Sequence, residues 1–239
     1  MIPLMDTVPR KEFPWMTWII ILVCSTVFLI EMSLPEQQLK AAVEMFGIVP
    51  AHFDGSKVLS FPAIDYLSLF TSILIHGGWL HIIGNMWFLY LFGGSLEEHI
   101  GHFKFLIFYL FCGILSGVTY IYLNLHSSEP SIGASGAVAG IMGAYILMFP
   151  RARVLTLVPV IFIPFFFYLP AYFFLGVWFL IQLISETYAF LSVGYGTSAG
   201  GVAWSAHVGG FLSGMVLIFV FRKKERRPVQ PDELHHYIR

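Results

Sequence analysis

Charge is what this sequence lacks most. Asp, Glu, Lys and Arg make up only 11% of its residues, against about 25% in soluble globular domains, while 57% are hydrophobic and 17% aromatic. That balance excludes an ordinary soluble domain and points to a chain housed in a bilayer. Cysteine is almost absent as well. Cys24 and Cys112 each lie inside an apolar run, which excludes a disulfide framework and leaves two thiols packing as small hydrophobes. No internal repeat is visible, which counts against transporters built from repeated halves. The first apolar run has no small-residue cleavage site behind it, so it reads as a retained span and not as a signal peptide.

What the sequence does have is long apolar runs. Six of them, at 15–34, 79–96, 105–125, 135–149, 169–184 and 202–221, qualify as spans by length and composition. The expected architecture is an all-α, polytopic bundle of six transmembrane helices, with a tail at 1–14 and a basic tail at 222–239. The apolar stretch 155–168 is broken by Pro159 and Pro164 and reads as an interfacial or partly buried connection. The mixed stretch 35–65 reads as short interfacial helices. Six spans put both termini on one side, together with Arg10, Lys11, Lys104, Arg151, Arg153 and the basic residues of the C-terminal tail. Only Lys40 and Lys57 fall on the other side. The bias of positive residues toward the cytoplasm therefore places both termini there.

Polar groups within a bilayer are costly unless paired, so each one in a span is a functional candidate. His81 and Asn85 lie on the second span, Ser135 opens the fourth and His207 lies on the sixth. Glu31, Asn124 and Gln182 lie near outer span ends and read as structural or interfacial groups. Counted from the cytoplasmic ends at 1.5 Å per residue, Ser135, His207, His81 and Asn85 stand at roughly 24, 22, 24 and 18 Å. Three helices thus bring strong polar groups to one depth, below the outer boundary of a hydrocarbon core about 30 Å thick. The fourth span is too short to cross that core, so the loop before Ser135 must dip inward, where irregular backbone requires protein or water around it.

Small residues make close approach feasible. Gly136, Gly140 and Ala144 form one stripe and Gly210 with Gly214 another, and Gly133 lies just ahead of the serine. If the stripes face each other, the helices of Ser135 and His207 become neighbours. A serine hydroxyl needs a base to act as a nucleophile, and no Asp or Glu lies at that depth, so a Ser135–His207 dyad is the expected chemistry. His81 and Asn85, spaced i, i+4, share a helix face and suit an oxyanion hole with the Ser135 backbone N–H. His76 reads as a helix-entry or interfacial residue.

The segments "HGGWLHIIGNM", "GASGAVAG" and "AHVGGFLSG", in this order on spans two, four and six, closely resemble the rhomboid family of intramembrane serine proteases. The resemblance runs over about residues 15–221. It implies Ser135 as nucleophile, His207 as general base, and His81 and Asn85 as oxyanion donors, with no metal or cofactor. It also implies cleavage of transmembrane protein substrates near the outer face of a cell membrane, with the loop 187–201 as a cap and the fifth span as a lateral gate. Beyond such substrates and the lipid bilayer, no nucleic-acid partner is expected. Three features depart from the pattern, the first being that the Trp-Arg pair often found in the first outer loop is not evident in "IDYLSLFTS". Ala139 stands where some members carry a tyrosine stacked on the histidine, so another group must pack on His207, and a Glu-x-Arg signature reads Glu97-Glu98-His99. A non-cleaving relative that binds transmembrane helices, or a proton-relaying transporter, are the rival readings.

Overall fold

The computed structural model describes residues 1–53, 62–161, 163–193 and 203–222. Of the cap expected at 187–201, residues 187–193 belong to the helix Ala171–Val193, and its remainder, like the basic tail from 223 onward, lies outside the described residues. Among the described residues, three helices are long and apolar enough to cross a membrane: α1 (Trp15–Ser33), α6 (His102–Leu123) and α9 (Trp204–Phe221). Between α1 and the second apolar run lie α2 (Glu36–Phe46), a short turn at Pro50–His52 and α3 (Pro62–Thr71), in keeping with short interfacial helices. The second run is α4 (Trp79–Phe88), continued through a wide π turn at Leu89–Gly93 into α5 (Gly94–Ile100). Then come α7 (Ser135–Met148) and α8 (Ala171–Val193).

α7 is the axis of the molecule. Every residue from Gly136 to Tyr145 is buried, as expected of a helix apolar on all sides. Its small residues let α9 press directly on its backbone. A Cβ at Gly210 would stand 2.1 Å from the Gly136 carbonyl oxygen, and one at Gly214 would stand 1.9 Å from that of Gly140. The two stripes do face each other. α6 closes the third side, where the Ser116 hydroxyl donates to the Ala206 carbonyl at 2.8 Å and Asn124 Nδ2 donates to Ser205 Oγ at 3.1 Å.

Opposite the Ser135 end of α7, the bundle is closed by polar contacts and a small sheet. Glu97 on α5 is fully buried. Its carboxylate accepts from Met16 N and Thr17 N, each at 2.8 Å, and from the Thr17 hydroxyl at 2.7 Å. An anion thereby caps the open amides that start α1. Asp6 accepts from the Tyr145 hydroxyl at 2.7 Å and the Ser95 hydroxyl at 3.1 Å, and pairs with Arg10 at 3.2 Å. Arg10 also donates to the Leu91 carbonyl at 2.9 Å, satisfying an acceptor in the π turn, where the regular helical ladder is interrupted. Gly101, with φ of +94°, supplies the left-handed turn between α5 and α6.

The all-helical expectation is corrected at this end. Strands β1 (Ile2–Asp6), β2 (Arg153–Val160) and β3 (Ile163–Pro170) form one antiparallel sheet in the order β1-β2-β3. Asp6 pairs with Val154, and Val154 with Leu169. The apolar connection at 155–168 is therefore a hairpin, and the first residues of the segment expected as a tail are its third strand. Pro159 and Pro164 would each remove a helical hydrogen bond, whereas here they oppose one another near the hairpin turn.

Candidate active site

Ser135 is the first residue of α7. The non-helical segment ahead of it reaches it without stranding its backbone. Ser131 and Ile48 exchange N–H···O bonds of 2.8 and 2.9 Å, and Gly133 N donates to the Ser72 carbonyl at 2.8 Å. The dip inward inferred from the shortness of this helix is thus lined by protein polar groups. Gly133 has φ of +116°, and a Cβ there would stand 2.6 Å from His81 Nε2, so both the turn and the approach of the imidazole require glycine.

A cavity of about 660 Å³ opens beside Ser135 and is lined by His81, Asn85, His207, Gln182, Trp178 and Trp204, among others. All four residues expected to carry the chemistry border it. Gly133 and Gly136 border a smaller hollow that Ser135 also lines, while Gly140, Gly210 and Gly214 set the contact of α7 with α9. His81 Nδ1 accepts the Gly77 N–H at 3.3 Å. In the neutral ring this leaves the proton on Nε2, on the side of Gly133. Asn85 is buried, and its Nδ2 donor has no hydrogen-bond partner among the described residues. Glu31 Oε1 and the Tyr109 hydroxyl share that condition, but neither lines the cavity. No hydrogen bond joins Ser135 Oγ to His207; such contacts often tighten only once substrate is bound.

His207 is gripped from α8. Its Nδ1 lies 2.7 Å from Gln182 Oε1, and its ring lies 6.0 Å from that of Trp178 and 6.1 Å from that of Trp204. These indoles pack against the imidazole where Ala139, buried in the core, cannot. Gln182 and Trp178, spaced i, i+4 on one face of α8, were not legible as site residues. Gln182 reads from the sequence as a structural or interfacial group near an outer span end, and Trp178 as a member of an apolar run; their i, i+4 spacing is the signal that pairs them.

His76 is also closer to the site than its position before α4 implied. It is buried, its Nδ1–H donates to the Leu74 carbonyl at 3.1 Å, and its Nε2 accepts the Ala134 N–H at 3.5 Å. Burial, and then the neighbouring His81, push its pKa down to about 4, so at neutral pH it is the uncharged acceptor that this contact requires. Glu31 accepts the His76 backbone N–H at 3.2 Å, which ties the entry of α4 to α1. No group of three or more His, Cys, Asp or Glu suited to a metal occurs among the described residues.

The family model of the Rhomboid domain matches residues 64–224, more than half of the chain and the whole of this site. Among curated relatives, the chain is 34% identical to "Rhomboid protease GlpG" of Salmonella paratyphi A over 143 residues, which are 59% of this chain and 46% of that protein. It is 30% identical to "Rhomboid protein 1, mitochondrial" of Saccharomyces cerevisiae over 154 residues, 63% of this chain and 40% of the relative. It is 36% identical to "Rhomboid-like protein 11, chloroplastic" of Arabidopsis thaliana over 89 residues, 37% of this chain and 31% of the relative. In each case the chain spans less than half of the relative's length.

Proposed function

Because the chain belongs to the rhomboid family, we propose that it is an intramembrane serine endopeptidase that cuts transmembrane segments of membrane proteins with a Ser135–His207 dyad. One observation carries the reading: a buried amide donor without a partner, Asn85 Nδ2, lies beside the same cavity as Ser135, His81 and His207. A buried donor left unpaired costs about 1–3 kcal/mol. That cost is readily understood where an oxyanion is to be received.

Ser135 Oγ attacks the scissile carbonyl carbon while its proton passes to His207 Nε2. The carbonyl oxygen becomes an oxyanion and accepts from Asn85 Nδ2, His81 Nε2–H and the free Ser135 N–H at the start of α7. His207 then gives the proton to the leaving amine as the C–N bond breaks. Water, activated by the same base, hydrolyses the resulting ester and restores Ser135. The dyad needs no metal and no cofactor.

The same reading carries six transmembrane spans in a cell membrane, with both termini cytoplasmic and the cavity opening toward the other face. The distribution of basic residues supports this orientation, and transmembrane proteins within the bilayer are the substrates. The test uses purified protein in detergent with a fluorophosphonate probe and a model transmembrane substrate. Labelling and cleavage are expected in the native protein and absent from Ser135→Ala and His207→Ala. Equal cleavage by native protein and Ser135→Ala would overturn the reading. Helix binding without cleavage would favour the non-cleaving alternative.

A further inference from the structure

A general base needs one definite tautomer. An imidazole that carries its proton on the nitrogen facing the serine can accept nothing from it. The dyad proposed above has no carboxylate to decide this, and the observation that bears on it is the contact between α8 and α9. Gln182 is buried, with 6% of its surface exposed, and its side-chain oxygen lies 2.7 Å from His207 Nδ1. An amide oxygen offers only lone pairs, so this contact requires the proton on Nδ1 and leaves the Nε2 lone pair free. Between Ala171 and Ile184, α8 carries no other carboxamide and no Asp, Glu, Lys, Arg or His. Within an apolar helix such a group needs a partner, and the partner it has is the imidazole. One turn earlier Trp178 packs on the same ring, so two successive turns of α8 fix the ring's proton and its plane.

We propose that Gln182 is a positioning residue that holds His207 in its Nδ1–H tautomer with Nε2 directed to the cavity, so that a neutral amide does the orienting work of the third member of a triad. The inference rests on the protease reading for its consequence, but the contact itself does not. A second consequence comes from the fold: Gln182 and Trp178 belong to α8 while His207 belongs to α9, so a displacement of α8 away from α9 releases the base.

Two measurements on the full chain separate the failure of this inference from the failure of the protease reading. The first is the nitrogen spectrum of protein carrying 15N-labelled histidine, with the His207 signals assigned by their loss in His207→Ala. The native protein is expected to show protonated Nδ1 and bare Nε2, and Gln182→Leu a mixture of tautomers. Protonated Nε2 in the native protein overturns the proposal, as does an unchanged spectrum in Gln182→Leu. This readout requires no turnover.

The second is the pH profile of cleavage. Gln182→Leu is expected to lower kcat by about tenfold to hundredfold, a part of what a positioned general base contributes, with KM unchanged. Gln182→Glu keeps an acceptor for Nδ1–H and its volume, so it also guards against a Leu variant that fails to fold. Its added negative charge favours the imidazolium, so the acid limb of kcat/KM moves to higher pH. An acid limb at the native position in Gln182→Glu, or native kcat in Gln182→Leu, overturns the proposal. If the native protein cleaves nothing while its His207 tautomer is as stated, the protease reading fails and the contact stands.

Discussion

The two ends of α7 carry polar clusters of similar size that are completed in opposite ways. At the sheet end, Glu97 accepts three hydrogen bonds from the start of α1 and Asp6 receives Tyr145, Ser95 and Arg10. There the buried donors and acceptors meet one another. At the other end, among the described residues, Asn85 Nδ2 is buried without a partner and Ser135 makes no hydrogen bond to His207, although all three residues line one cavity. A satisfied buried network rigidifies what surrounds it, whereas an incomplete one is a cost to the fold. The first cluster reads as scaffold. The second holds its donors ready for a group that arrives from outside the chain.

The sharpest way to break this contrast is at the nucleophile and the base. Ser135→Ala and His207→Ala are expected to lower cleavage by about 10³-fold or more; the thermal midpoint stays near the native one in Ser135→Ala and falls in His207→Ala, which leaves buried Gln182 without its partner. A side-by-side assay of substrate cleavage and thermal unfolding checks both halves. Asn85→Ala comes next. Loss of one oxyanion donor costs about 10²–10³-fold in kcat, yet no hydrogen bond of the resting protein is lost, so stability should change by no more than about 1 kcal/mol. Substantial unfolding in this variant would mean that Asn85 belongs to the scaffold after all.

Glu97→Ala is expected to behave the other way. It leaves the amides of Met16 and Thr17 and the Thr17 hydroxyl without their acceptor, at about 1–3 kcal/mol for each buried group left unmet. Denaturant titration should therefore report a clear loss of stability, while kcat per folded molecule is retained. A large fall in kcat with unchanged stability would dissolve the distinction between the two ends.

The smallest effect concerns pH. The folded pKa of His76, about 4, lies below its ordinary value of 6.5. The unfolded chain therefore binds the proton more readily, and stability falls as pH drops from about 6.5 toward 4, then levels off. Thermal midpoints measured across that window should slope in native protein and slope less in His76→Gln.

Much of this was legible in one dimension. A low count of charges, long apolar runs and the spacing of small residues 136, 140, 210 and 214 announced a helical membrane bundle and the contact of α7 with α9. Depth counting grouped Ser135, His207, His81 and Asn85, and the four border one cavity. Strand formation at 153–170 was not legible: the apolar run 155–168, with two prolines, excludes a helix but does not name the partner strand. That partner, β1, comes from 148 residues earlier in the chain at the pair Asp6 with Val154.

By itself, then, the sequence determined the mostly helical character of the chain, the small-residue stripes that let helices approach and which side chains are chemically able to act. Composition, periodicity and rise per residue are local properties, and they survive without knowledge of neighbours. Only the tertiary structure decided how those side chains are oriented: that Gln182 faces His207 Nδ1, that Trp178 packs on the same ring, and that Asn85 Nδ2 has no partner among the described residues. Rotation about a helix axis and the choice of partner come from packing between distant segments, where hydrogen-bond geometry is set to within a few tenths of an ångström.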